Sequence, residues 1–284
     1  MIRCDLPYRR SDAKAADDES ILETFVATNV EPRVLPETAS SSAATRLSPD
    51  WENVPKPRFL LLKFPGTAGR AERSSPFPAN LIDGQDQVRE PGQHHETWTW
   101  NPPGYGRSSG RPRLRTLASA AKCFASQVLA ARAGSRTTVW ICGNSLGCLA
   151  ALSLAARLQD WATEHVDANR FALWLRNPPQ LDEVVLKVAD RYAARRLMRV
   201  ATKRIPESLD AETCARQTSL PAVFLMSEHD ELVLPPIQRK IHEAYAGEHL
   251  VVTLHGLGHG GVLEEEHRED VERAVEWLAS RCSL

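Results

Sequence analysis

Thr137-Thr138-Val139-Trp140-Ile141-Cys142-Gly143-Asn144-Ser145-Leu146-Gly147 decides how the rest of the chain is read. Thr137 to Cys142 is rich in β-branched and aromatic residues, the composition of a strand. A helix of small residues is predicted to follow, from Leu146 to about Arg157. Between the two lies Gly-x-Ser-x-Gly, which places Ser145 on a sharp strand-to-helix turn. Gly143 and Gly147 lack the side chains that would clash where strand and helix crowd the serine. Its Oγ then projects from the turn, and the helix N-terminus behind it favours developing negative charge. Ser145 is therefore a candidate nucleophile. A chance match in an ordinary strand–helix connection is the bland alternative, and the strand before and helix after weigh against it.

Strands and helices alternate on both sides of this turn. Phe59 to Phe64 is a short, mostly apolar run ending at Pro65-Gly66, as expected of a strand buried on both faces of a parallel sheet. Thr97 to Trp100 reads as another strand, stopped by Asn101-Pro102-Pro103-Gly104. Leu117, Ala121, Phe124 and Val128 then recur at helical spacing. Further strands are expected at Phe171 to Leu175, Ala222 to Met226 and Leu250 to Leu254. Helices are expected at Asp182 to about Arg204, Pro236 to Tyr245 and about Glu264 to Ala279. This alternation predicts an α/β architecture: a mostly parallel sheet with helices on both faces. Ligands of such sheets bind at the carboxyl ends of the strands. Residues 1–50 are polar and uneven, with one or two strands expected between Ile21 and Leu35 and a loop from Glu37 to Ser48. They read as an N-terminal extension whose strands pack on the edge of a domain spanning 51–284.

The 284 residues are 42% apolar and 25% charged, enough to bury a sizeable core. The net charge of −1 sets up no global field for nucleic acid. No run of about 18 apolar residues suggests a membrane span, and Met1 to Pro7 lacks the apolar run of a secretory signal. Six cysteines without a Cys-x-x-Cys pair argue against a zinc site and favour reduced thiols in a cytoplasmic protein.

A nucleophilic serine needs a base. His259, in Gly256-Leu257-Gly258-His259-Gly260-Gly261, lies in a loop between the last expected strand and the last helix, whose glycines suit a backbone that must turn tightly to bring the imidazole toward Ser145, with His255 as competitor. The base needs an orienting acid. Glu228, Asp230 and Glu231 follow the Ala222 strand, and spacing does not choose between them. The order serine, acid, histidine is that of the hydrolase triads built on a Gly-x-Ser-x-Gly turn.

From Phe59 to the C-terminus the chain resembles the α/β-hydrolase family, in particular its bacterial-type esterase and lipase-like members. Asp230, with Val233 and Pro235 behind it, is similar to the family's D-x-x-V-P acid loop, Leu234 intervening before the proline. Gly258-His259 is similar to its Gly-His ending, and Asn101 to Ser108 to its P-G-Y-G-x-S segment. The resemblance implies the α/β-hydrolase fold with Asp230 as the acid. It implies an oxyanion hole from the N–H groups of Leu146 and Thr67, the latter in a Phe64 to Gly69 loop that carries Pro65 where histidine is usual. It further implies cleavage of a small-molecule carboxylic ester, or a thioester or amide, through an acyl-enzyme on Ser145. No cofactor or metal is called for. A non-catalytic binding or scaffold role on the same fold is the alternative.

Three other signals carry less weight. His94-His95-Glu96 could suggest a metal site, but neighbours along a strand face opposite ways and a surface position is expected. The basic helix expected over 182–204 could touch a membrane surface peripherally, and a solvated face is the preferred reading. It falls between two sheet strands, where the resemblance to the α/β-hydrolase family implies that a short lid, 180–220, would be inserted. Glu264 to Glu266 suit the first turn of the last helix.

Overall fold

The computed structural model describes residues 1–8, 20–28, 54–67, 69–82, 94–162, 166–190, 192 and 194–282. Its strands are β1 (Ile2–Arg3), β2 (Leu6–Pro7), β3 (Ile21–Leu22), β4 (Thr24–Thr28), β5 (Phe59–Phe64), β6 (His95–Trp100), β7 (Thr138–Asn144), β8 (Phe171–Arg176), β9 (Ala222–Ser227) and β10 (His249–Leu254). Its helices are α1 (Ala79–Ile82), α2 (Leu114–Arg132), α3 (Gly147–Ala155), α4 (Leu181–Asp190), α5 (Arg195–Thr202), α6 (Ala211–Arg216), α7 (Pro235–Ala244) and α8 (Arg268–Arg281).

Eight strands form one sheet in the order β1-β4-β6-β5-β7-β8-β9-β10. The six from β6 to β10 run parallel. At one edge β4 pairs antiparallel with β6, and β1 with β4. β1 and β4 thus extend the main sheet, while β2 and β3 make a separate two-stranded ribbon. The portion of the Ile21–Leu35 expectation beyond Thr28, and the Glu37–Ser48 loop, lie outside the described residues.

Alternation along the parallel strands divides the core in two. Leu60, Leu62, Ile141 and Leu173 face one layer with Phe124 of α2 and Leu149 of α3. Phe59, Leu61, Trp140 and Trp174 face the other, with Val271 and Leu278 of α8. Trp140 and Trp174 stack with centroids 6.0 Å apart, and Phe59 meets Trp140 edge-on at 4.9 Å. Near-continuous apolar strands are what burial on both faces requires.

Two expectations are corrected. His94, His95 and Glu96 are buried, not on the surface. β6, which His94 precedes, lies inside the sheet between β4 and β5, and its residues on both faces are buried. Glu96 meets Arg132 of α2, whose Nη2 donates to Oε1 at 2.6 Å. The single helix expected over 182–204 is two, α4 and α5. The apolar positions that suggested it step from Tyr192 to Leu197, five residues, which breaks helical periodicity. Tyr192, Leu197 and Val200 are exposed, so no packing surface enforces continuity. The amides of Tyr192 and Ala194 instead close onto the Ala189 carbonyl. Among the described residues no helix is long and apolar enough to cross a membrane.

Candidate active site

Ser145 follows the carboxyl end of β7 with φ of +50°, a left-handed conformation that a residue with a side chain adopts only when its surroundings impose it. The constraints are visible. Ser145 N donates to Arg176 O at 2.8 Å, and Ser145 O accepts from Cys148 N at 2.8 Å. A Cβ on Gly147 would stand 1.9 Å from the Phe64 carbonyl oxygen, and one on Gly143 2.6 Å from the Cys148 Cα. Backbone therefore crowds backbone on both sides of the serine, and only glycine fits.

His259 comes from the loop after β10. Its Nε2 lies 2.9 Å from Ser145 Oγ, and its Nδ1 lies 2.7 Å from Asp230 Oδ2. An ionised carboxylate only accepts, so Nδ1 carries the hydrogen and Nε2 is left to accept from the serine hydroxyl. Asp230 is buried, 2% exposed. Its Oδ1 accepts from the backbone N–H of Leu232 at 2.9 Å and of Val233 at 2.7 Å, and Oδ2 also accepts from Gln238 Nε2 at 3.1 Å. Every bond fixes the carboxylate in the orientation that meets the imidazole.

The competitors point elsewhere. His255 is exposed, with Nδ1 3.4 Å from Glu228. Glu228 also accepts from Gly256 N at 3.0 Å, and that backbone bond is the main reason its carboxyl sits below the usual range. Glu231 is held low by backbone bonds, its own first and then that of His259 N at 3.3 Å. Of the three acids, Asp230 is the one that meets the ring.

The β5–α1 connection lies over the serine. Gly69 N closes a turn onto Gly66 O at 2.9 Å. A Cβ on Gly66 would be 3.2 Å from the Ser145 Cβ. Thr67 is in this turn, and Leu146 immediately precedes α3, where helix geometry leaves its N–H without an intrahelical acceptor. An apolar cleft of about 200 Å³ adjoins them, lined by residues that include Thr67, Trp100, Pro102, Tyr105, Leu117 and Leu146. The Asn101 to Ser108 wall of this cleft is held by Glu23, which accepts from Asn101 Nδ2 and Arg107 N, each at 2.8 Å.

Sequence reading missed Asn177. It is fully buried with φ of +51°. Its Nδ2 donates to Ser227 Oγ at 3.0 Å and to the His259 carbonyl at 3.3 Å, while its Oδ1 accepts from Ser227 N at 2.9 Å. An asparagine at a strand end, a residue type that tolerates the left-handed region, was the available signal. Gln238 and Glu23 left none, because their partners are distant in sequence or lie on another element. Among the described residues no group of three or more His, Cys, Asp or Glu is placed to hold a metal ion.

No protein-family model matches the sequence, and no curated protein matches it either. Solved structures do. An esterase from Pyrococcus furiosus superposes with a TM-score of 0.59 at 11% identity, over 98% of this chain and 90% of the other. The α/β hydrolase domain-containing protein 10 from mouse gives 0.57 at 14%, over 98% and 99%. An enol-lactonase from Burkholderia xenovorans gives 0.52 at 15%, over 91% and 97%. The architecture they share with this chain is the α/β-hydrolase fold.

Proposed function

We propose that this chain, an α/β hydrolase by fold, is a serine hydrolase that cleaves a carboxylic ester through an acyl-enzyme on Ser145. The observation that carries the reading is the line of contacts from Asp230 through His259 to Ser145 Oγ, 2.7 and 2.9 Å long. In the first step His259 Nε2 takes the hydroxyl proton as Oγ attacks the carbonyl carbon. Asp230 holds the Nδ1 tautomer and stabilises the imidazolium. The N–H groups of Leu146 and Thr67 receive the oxyanion. His259 then gives its proton to the leaving alcohol. Water, deprotonated by the same imidazole, attacks the acyl carbon and releases the acid, restoring Ser145.

The apolar cleft beside Leu146 suits an apolar limb of the ester. Thioesters and amides would react by the same steps; the ester is preferred because the similar structures include an esterase and an enol-lactonase. Residues 180–220, containing α4 to α6, act as a short lid on the 51–284 domain. Lys187 of α4 donates its Nζ to the Glu231 carbonyl, tying this segment to the acid loop.

A fluorophosphonate probe tests the reading. The expected result is labelling of the wild-type protein at Ser145, none in Ser145→Ala, and parallel loss of ester turnover. A folded wild-type protein that neither labels nor hydrolyses short-chain esters would overturn it.

A further inference from the structure

A second cavity, of about 600 Å³, shares Phe64, Pro65, Gly66 and Gly69 with the apolar cleft but draws its walls from the opposite sheet face. Register explains its composition. Lys63 of β5 pairs with Cys142 of β7, Cys142 with Trp174 of β8, and Asn144 with Arg176. Period-two alternation puts Lys63 and Arg176 on one face at the carboxyl ends of their strands. Arg70 and Arg73 close the cavity from the loop after β5. Among the described residues, these four cations line it and no Asp or Glu does.

Among the described residues neither inner cation makes an ion pair with a carboxylate. Lys63 Nζ donates to the neutral carbonyls of Ser75 at 2.7 Å and Phe77 at 2.8 Å. Arg176 Nη2 donates to the Gly261 carbonyl at 2.5 Å, while its buried Nε has no hydrogen-bond partner. Burial lowers the pKa of both groups, and the field of the Asp230 carboxylate offsets this only in part at Arg176. Removing a charge from water without pairing it is costly. An incoming anion would supply what each cation lacks. Glu72 stands 3.8 Å from Arg70 with both side chains well exposed, and it does not line the cavity.

The cavity also adjoins the candidate nucleophile. Asn144, which precedes Ser145, and Gly66, which crowds it, belong to its lining. Gly261, two residues after His259, forms another part. We propose that this cavity receives an anionic limb of the substrate, a carboxylate or phosphate, so that the preferred ester is one bearing a negative charge. The proposal rests on the serine-hydrolase reading.

Two measurements test it. In the first, kcat/KM is compared for 4-nitrophenyl pentanoate and mono-4-nitrophenyl glutarate, esters of equal chain length that differ by a terminal carboxylate. The glutarate should be favoured by about tenfold or more, the size expected of one charge-assisted hydrogen bond. The ratio should fall toward one in Arg70→Gln/Arg73→Gln, whose exposed sites leave the core untouched, and in Arg176→Gln. In the second, inorganic phosphate should raise the Tm of Ser145→Ala protein, and the rise should vanish when Arg70→Gln/Arg73→Gln is added. A phosphate effect alone assigns the site to phosphate, and a glutarate preference alone assigns it to carboxylate. Ester turnover with neither effect would overturn the anion site while leaving the hydrolase reading intact. Phosphate stabilisation without turnover of any ester would overturn the hydrolase reading and leave the anion site standing.

Discussion

Asn177 donates its side-chain amide to the main-chain carbonyl of His259 at 3.3 Å, from a left-handed backbone conformation. The same side chain bonds both the N–H and the hydroxyl of Ser227 at the end of β9. One residue earlier, the Arg176 carbonyl accepts from Ser145 N. The end of β8 therefore touches the backbone of the proposed nucleophile and of the proposed base. It sets the distance between two loops that no covalent neighbour fixes.

Removing that brace should impair turnover more than binding. Asn177→Gly keeps the left-handed backbone accessible but deletes the amide, so kcat should fall about tenfold, as small displacements of reacting groups are expensive. KM should stay within about twofold, because Asn177 does not line the substrate clefts. Asn177→Ala adds backbone strain and should also lower stability, by about 1–2 kcal/mol. Steady-state kinetics and chemical denaturation separate the two effects. Unchanged kcat in Asn177→Gly would remove the positioning role.

The three proposed catalytic residues should behave as a unit. Ser145→Ala and His259→Ala should each reduce kcat by at least about 10⁴-fold, and the double variant should cost little more than either alone. The activity of the wild-type protein should fall as the medium is acidified, since a protonated His259 cannot accept the serine proton. Independent, multiplying losses in the double variant would show that the 2.9 Å contact is not a working pair.

The acid is tested by substitution within one loop. Asp230→Asn should lower kcat by about 10⁴-fold through loss of the correct imidazole tautomer. Glu228→Gln, at an exposed site facing His255, should change it by less than about twofold. A crippled Glu228→Gln enzyme with an active Asp230→Asn would reverse the assignment.

How much of this was legible before the fold depends on whether the cause is local. Ser145 could be read because the crowding that demands Gly143 and Gly147 lies within its own turn, and because a strand and a helix announce themselves by composition. The alternating pattern from Phe59 onward predicted the parallel sheet for the same reason. His259 and His255 are four residues apart in one loop, and only the fold brings the first to Asp230 and the second to Glu228. Glu228, Asp230 and Glu231 differ only in what comes back to meet them. Asn177, Glu23 and the cationic cavity are products of strand register and of segments far apart in sequence. The His94 to Glu96 segment was misread because Arg132, which makes its burial tolerable, lies 36 positions from Glu96.

That buried pair gives the last prediction. Glu96 and Arg132 are both fully buried. Arg132 Nε and Nη2 donate to the carboxylate at 3.0 and 2.6 Å, and Trp98 Nε1 donates to it at 2.8 Å. Burial raises the Glu96 pKa, and the neighbouring His94 together with Arg132 and Trp98 more than offsets it, so the carboxyl sits below its ordinary value of 4.5. A depressed folded-state pKa contributes stability that is present above the unfolded value and is lost as pH falls through the folded one. Glu96→Gln leaves the Arg132 charge buried without its counterion, which should cost about 3–5 kcal/mol at neutral pH. Glu96→Gln should also flatten the acid side of the stability curve in that window. Replacing both partners by apolar residues, Glu96→Leu/Arg132→Met, should cost less than Glu96→Gln alone, because no charge is stranded. Denaturant unfolding at neutral and acidic pH reads both effects. A Glu96→Gln protein as stable as the wild type at neutral pH would show that this ion pair does not hold β6 to α2.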